Sequence, residues 1–425
     1  MANIYEQIIR EEDEILEQTL LWRHDIHQHP ELGNMEFRTS RIVAEHLRSI
    51  GADEVYEGLA GGTGVIGIIR GAHDGPTVGI RADMDALPVK ECTGLPFASR
   101  VTSEWGGETV PVMHACGHDV HTAMAMAAAS VVCKLREHLH GNAMFCFQPA
   151  EEGPSPGWSG LHGAQALMAS EVFRKNTPAA MFALHVDPTQ PIGSAGQVAA
   201  LGGQTCMAIS GFDIDVYGIG GHNAKPWQGI DTLLPAAQIL QGLQNITTRN
   251  VDPNTNKVIL TIGKLIGGTK YNVIADHAVI SGALRFTDYP TRQYLESRVE
   301  EVAAGGASAG RAKAKVTWNM HYPPNFNSAE LIAQMKPCVE KVLGAGQYVV
   351  GERGFHIADD FSYFTLRIPS IYALLSCAPD EGDASKTPGL HNPDMIVNER
   401  CIPSGIRTLC TYLLTYGCAE GEVTG

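Results

Sequence analysis

His114-Ala115-Cys116-Gly117-His118-Asp119-Val120-His121, followed by an alanine- and methionine-rich run from Thr122 to Leu135, is the stretch from which the rest of the chain is read. Its eight residues carry three histidines, one cysteine and one aspartate. Imidazole and thiolate are the ligands a borderline-soft divalent cation prefers. Cys116 and His118 stand two positions apart, so both can meet one ion if the backbone turns between them, and Gly117 permits that turn. The run from Thr122 to Leu135 reads as a helix whose positive end lies near the loop, which favours a thiolate at Cys116.

Three further segments supply what a metal hydrolase needs. Ala143 to Phe147 is a short apolar run that reads as a buried strand ending at Pro149, and Glu151 and Glu152 follow it. Two adjacent carboxylates repel unless each has separate work: one can bind a cation while the other stays free to carry a proton. Met181 to Pro188 is another apolar strand, with His185 near its carboxyl end. His391 is held in a turn between Pro388 and Pro393. A lone histidine of either kind is more often structural than a ligand; the weight comes from their combination with Cys116, His118 and Glu152.

With these motifs in order, the chain resembles the aminoacylase and carboxypeptidase-type metallohydrolases, in the branch that holds hippurate hydrolase and the auxin-conjugate amidohydrolases. The resemblance begins at Arg23-His24-Asp25-Ile26-His27-Gln28-His29-Pro30-Glu31-Leu32. It runs through Arg81 to Pro88, the metal segments, Gly218 to His222, Gly267 to Ile274 and Asp360 to Tyr363, as far as the Leu390-His391 turn. Carried over position by position, it implies Cys116, His118, Glu152, His185 and His391 as metal ligands and Glu151 as the catalytic base. An extended backbone would point Glu151 and Glu152 to opposite sides, in keeping with that division. It also implies that His222, from the smaller domain of a partner subunit, polarises the substrate. Asp83 and Asp85, just past a strand at Thr77 to Arg81, are read as orienting the ligands.

Composition excludes several other classes. At 425 residues with 44% hydrophobic and 18% charged residues, the chain can bury a large core, and two domains are expected. A formal charge of −15 argues against nucleic acid and anionic membranes as partners. The acidic start lacks a signal-peptide core, and Cys133, Cys146 and Cys377 lie in apolar runs as reduced cysteines would, so a cytoplasmic protein is expected.

The organisation is that of an interrupted α/β domain: a mostly parallel-sheet metallohydrolase domain at 1–194 and 326–425, with a smaller α+β sandwich inserted at 195–325. The insertion is marked by the strict alternation Phe212 to Tyr217, a helix from Thr232 to Thr247, strands at Lys257 to Ile262 and Ala278 to Phe286, and a helix from Arg292 to Ala304. Ala303 to Lys315, rich in Ala, Gly and Lys, is expected to be a surface turn into a strand. In the resembling family the small domain forms a dimer and delivers residues to the neighbouring site. Asn272 can donate to an oxyanion or a carboxylate, and Arg285 can bind a carboxylate. The bland alternatives are a turn residue for His222, a turn cap for Asn272 and a sheet-surface cation for Arg285.

Two segments depart from the family pattern: the long, aromatic loop from Gly153 to His162, and His356-Ile357-Ala358-Asp359-Asp360. Trp158, His162, His356 and Tyr271 can line a pocket for a flat aromatic group. The leading expectation is metal-dependent hydrolysis of a C–N bond in a small carboxylate-bearing substrate, an N-acyl or N-aroyl amino acid. The alternative keeps the site but deaminates an electron-poor aromatic amine and releases ammonia, as 5-nitroanthranilate aminohydrolase does within this broad family. A non-catalytic metal-binding scaffold is a third reading, against which the intact Glu151 argues. The ligand set accepts manganese, zinc, cobalt or nickel, as one or two ions.

Overall fold

The computed structural model describes residues 3–189, 193–254, 256–351, 358–381 and 386–418. The chain forms two compact units. One runs to Thr205 and resumes at Phe326, apart from a short segment that includes residues 358–362; the other comprises Cys206–Asn325 and that segment. The strand Val198–Ala200 belongs to the large sheet of the first unit, so the boundary expected at 194/195 moves to 205/206.

In the first unit, helix α1 (Ile4–Gln28) is followed by α2 (Phe37–Ser49), strands β1 (Glu54–Leu59), β2 (Gly64–Arg70) and β3 (His73–Asp83), and helix α3 (His118–Lys134). Its eight-stranded sheet has the order β1, β2, His140–Gln148, β3, Ala180–Asp187, Ser370–Ser376, Val198–Ala200, Tyr348–Val350. The central four strands run parallel, while β1 and β2 lie antiparallel at one side. Apart from the exposed first four residues of β3, these central strands are mostly buried and rich in apolar residues, as parallel strands covered on both faces must be. Sites in such sheets form beyond the carboxyl ends of the strands. Three adjacent strands here end at Asp83, Gln148 and Asp187.

Helix α3 starts four residues earlier than the expected Thr122, at His118, with Gly117 as its left-handed N-cap (φ 81). A side chain at Gly117 would need this unfavourable φ and would also place a Cβ 2.3 Å from Val186 Cγ2, so glycine is required twice over. Every residue from His118 to Val132 is buried, because α3 packs against β3, α1 and the terminal helix Ile402–Thr415. Its small and flexible side chains, alanine and methionine, suit contact on all sides.

The second unit carries a four-stranded antiparallel sheet, Ile259–Gly267, His277–Phe286, Ala208–Tyr217, Lys313–Tyr322, with helices Leu233–Arg249 and Tyr289–Ala309 packed on it. Most of the expected Ala303–Lys315 turn is helix: Ala303 and Ala307 are buried, and only Gly310 to Ala312 separate that helix from the next strand. Small residues are needed there for packing rather than for flexibility. All ten cysteines are free thiols. Among the described residues no helix is long and apolar enough to cross a membrane.

Candidate metal centre

Cys116 precedes α3 by two residues, and His118 and His121 lie on its first turn. His185 comes near the end of the neighbouring strand, and Glu151 and Glu152 follow the strand on the other side of β3. The loop carrying His391 is tied to the same place by a bond from His391 N–H to Ala115 O, 2.7 Å. The possible ligand atoms of Cys116, His118 and His185 lie within 4.8 Å of one another, as do those of Cys116, Glu152 and His391, and those of His118, Glu151 and Glu152. Cys116 Sγ is 3.4 Å from His185 Nε2, and His391 Nε2 is 2.9 Å from Glu152 Oε1. All five expected ligands and the expected base therefore converge.

The orienting groups are equally specific. His118 Nδ1 donates to Asp85 O at 2.9 Å and His185 Nδ1 to Val186 O at 2.8 Å, which turns each Nε2 toward the cluster. Asp85 Oδ2 accepts the N–H of Glu152 at 2.9 Å. Asp83 is bonded to Arg81 and to His121 Nδ1, and its Oδ2 lies 3.7 Å from His118 Nε2. His121 joins the site in the structure, although only its neighbours were singled out from sequence.

The extended-backbone argument for Glu151 and Glu152 fails. Ala150 lies in the left-handed region (φ 51) and Gly153 at φ 109, so the chain bends here and brings both carboxylates beside His118. For Ala150 this conformation costs roughly 1–2 kcal/mol, which the surrounding contacts must offset. What distinguishes the two carboxylates is their partners. Glu152 sits between His391 and Cys116, whereas Glu151 is buried with Oε2 3.9 Å from His118 Nε2.

Electrostatics test whether an ion fits. Burial and the carboxylates of Glu152, Glu151 and Asp83 push the Cys116 thiol well up. Burial pulls His118 down, but Asp83 and Asp85 outweigh it and hold the imidazole at about 10. Burial lowers His185 far below its ordinary value. The Nε2 of His118 is buried and has no hydrogen-bond partner among the described residues. A proton on His118 thus offsets carboxylate charge, and a proton on Cys116 avoids a further negative charge, in a pocket of soft and borderline donors. A divalent cation can replace both, and the donor set fits one.

The remaining expected residues lie elsewhere. His222, on the two-residue strand Gly221–His222, is exposed in the second unit and accepts from Ala224 N–H at 3.0 Å. That strand pairs with Val273–Ile274, so Asn272 and Tyr271 stand at the same ribbon, Tyr271 almost fully exposed. Arg285 is half-buried on His277–Phe286, where burial lowers its pKa. In the first unit, Trp158 Nε1 donates to Leu161 O at 3.3 Å and the ring packs close over Gly61; His162 precedes a short helix. His356 lies outside the described residues.

A buried charge network behind α3 escaped the sequence reading. Arg23 Nε lies 2.9 Å and His27 Nδ1 2.8 Å from Asp119 Oδ2; Arg23 also meets Glu399, and His27 meets Glu91. Burial opposes the charged form of Asp119, yet Arg23 and His27 hold its carboxyl well below the ordinary range. Burial pulls His27 down, but Asp119 and Glu91 hold it up at about 8. The i, i+4 spacing of Arg23 and His27 on one helix face was the available signal.

The pattern of the peptidase family M20/M25/M40 matches residues 79–415. The chain belongs to that family. It is 32% identical to the hippurate hydrolase of Campylobacter jejuni over 89% of this chain and 91% of that one. It is 34% identical to the IAA-amino acid hydrolase ILR1-like 2 of Arabidopsis thaliana, over 95% of this chain and 87% of the relative. Among solved structures, the YXEP protein of Bacillus subtilis, described as a dinuclear metal-binding peptidase of the M20 family, superposes with a TM-score of 0.71 at 28% identity, covering 95% of this chain and 98% of that one. The M20 chain is therefore a hydrolase of α/β fold.

Proposed function

We propose that this M20 hydrolase is a metal-dependent amidohydrolase of small N-acyl or N-aroyl amino acids, with Cys116, His118, Glu152, His185 and His391 holding one or two divalent ions and Glu151 as general base. The observation that carries the reading is the overlap of three donor groups, Cys116 with His118 and His185, Cys116 with Glu152 and His391, and His118 with Glu151 and Glu152, at a buried His118 whose Nε2 has no hydrogen-bond partner among the described residues. The hydrolase names of the relatives support the substrate class. An ion bound there supplies Lewis acidity to water and to the carbonyl oxygen. Glu151 takes a proton from the attacking water as the new C–O bond forms, and returns it to nitrogen as the C–N bond breaks. Asp85 and the Val186 carbonyl keep the His118 and His185 rings oriented throughout. His222 of a partner subunit would donate to the developing oxyanion, and Asn272 and Arg285 would take the substrate carboxylate.

The test is turnover by purified protein supplied with Mn²⁺, Zn²⁺, Co²⁺ or Ni²⁺, on N-benzoyl, N-acetyl and indoleacetyl amino acids and on aminobenzoates. Release of a free amino acid is expected. Ammonia from an aminobenzoate would replace this reading by the deaminase, and metal uptake with turnover of neither class would replace it by a scaffold.

A further inference from the structure

The loop between α1 and α2 takes no part in the proposed ligand set, yet it is fastened to the segment that carries Glu151. Glu36 is fully buried; one carboxylate oxygen accepts the N–H of Ala150 at 2.9 Å and the other accepts the Thr63 hydroxyl at 2.7 Å. Two residues on, the N–H of Glu152 is held by Asp85. Glu151 is therefore bracketed by two backbone N–H groups, each bound to a buried carboxylate from another part of the chain. The bracket encloses Ala150, a non-glycine residue in the left-handed region. Such a conformation persists only where its surroundings over-determine it.

The rest of the loop fits this role. Gly33 lies so close that a Cβ there would stand 2.2 Å from the carbonyl oxygen of Gly153 and 3.2 Å from Ala150 Cβ. Gly33 O accepts from Ser155 Oγ at 2.8 Å, and Glu31 O accepts from Ala86 N–H at 2.8 Å, so the loop grips the turn after Glu152 and the segment after Asp85 together. Asn34 Nδ2 donates to Ala60 O at 3.0 Å and ties in the β1–β2 turn, where Thr63 lies.

We infer that Glu36 is a positioning residue for proton transfer: by holding the Ala150 N–H it keeps the backbone bent, and so fixes where the Glu151 carboxylate stands relative to the donor cluster. This rests on the reading of Glu151 as general base. Burial and the neighbouring Asp85 carboxylate raise the pKa of Glu36, and an amide side chain in its place still offers one carbonyl oxygen as acceptor.

The experiment compares Glu36→Gln, Glu36→Leu, Thr63→Val and, as reference, Glu151→Gln, each loaded with Mn²⁺. It measures kcat, KM, metal content and hydrogen exchange of the amides from Ala150 to Gly153. Glu36→Gln keeps an acceptor for Ala150 and should retain most of kcat and native exchange. Glu36→Leu should keep KM and metal content but lose about tenfold or more in kcat, as misplaced reacting groups do, with faster exchange in this segment. Thr63→Val, which removes only the support for Glu36, should fall between them.

Native kcat and exchange in Glu36→Leu would overturn the inference. So would a loss of activity that tracks a loss of metal, or a Glu36→Gln as impaired as Glu36→Leu. If Glu36→Leu does not fold, Thr63→Val with unaltered kcat and exchange is the overturning result. If Glu151→Gln itself keeps full activity, the general-base reading fails; faster exchange in Glu36→Leu would then still uphold the clamp.

Discussion

Glu151 and Glu152 are sequence neighbours with different surroundings, and side-chain substitution separates them cleanly. Glu152 lies against His391 and Cys116, so Glu152→Gln removes a negative donor and should weaken metal retention first. Glu151→Gln should leave metal content and thermal stability near native but lower kcat by at least ~10²-fold, the usual scale for a general base. Reversed behaviour, measured as metal content against kcat, would exchange their roles. The same cluster predicts a proton count. Cys116 is pushed well above the ordinary thiol value and His118 to about 10, so at pH 7 both are protonated before an ion enters. Binding must expel them, and titration calorimetry in buffers of different ionisation enthalpy should show about two protons released per site filled, with affinity still rising as pH goes from 6 to 9. No release would mean that the ion does not engage these donors. The donor identities were legible in sequence because imidazole, thiolate and carboxylate at strand ends and in turns announce themselves chemically. The bend at Ala150 was not legible, since nothing in an alanine signals a positive φ. Glu36 was not legible either, since its role depends on a partner more than a hundred residues away.

At the scale of elements, α3 is the part on which the site turns, because its first turn carries His118 and His121 and its N-cap follows Cys116. That turn is tied to α1 through Asp119, Arg23 and His27, all buried. Removing one member of such a group leaves uncompensated buried charge, typically costing about 3–5 kcal/mol. Asp119→Asn should therefore lower Tm markedly and loosen metal retention, whereas a purely decorative network would leave both unchanged. The pH dependence follows from the two shifts. Asp119 is depressed, so its contribution is present above the ordinary carboxylate value and lost as acid approaches its lower folded value. His27 is raised to about 8, so its contribution is full below the ordinary value of 6.5 and is lost as pH rises through 8. The Tm gap between native protein and Asp119→Asn should be widest between pH 4 and 6.5 and narrow toward pH 8 and above. Sequence periodicity located α3 but began it four residues late, because three histidines and an aspartate resemble a loop until Gly117 is seen to cap the turn. It likewise read Ala303–Lys315 as a loop, since small residues that pack a helix closely and small residues that loosen a turn have the same composition.

At the scale of the molecule, the residues expected to touch substrate divide between the units: the five proposed ligands and Glu151 belong to the first, and His222, Tyr271, Asn272 and Arg285 to the second. The second unit also leaves Leu265, Ile266, Tyr271 and Val273 between 46% and 89% exposed, and Ile259–Gly267 is an edge strand of its sheet among the described residues. Exposed apolar side chains beside an open edge favour association with another copy. The proposed reaction calls for a two-fold dimer in which His222 of one chain completes the site of the other. His222→Ala should then bind metal like the native protein but turn over poorly, as Glu151→Gln does for a different reason. Mixing the two inactive variants in equal amounts, with subunit exchange verified by tagged chains, should restore roughly a quarter of native activity. Half of randomly exchanged dimers are mixed, and one of their two sites has both groups intact. Verified mixed dimers without activity would assign His222 to its own chain's site or to none, and a monomer by sedimentation that turns over normally would remove the partner subunit from the reaction altogether.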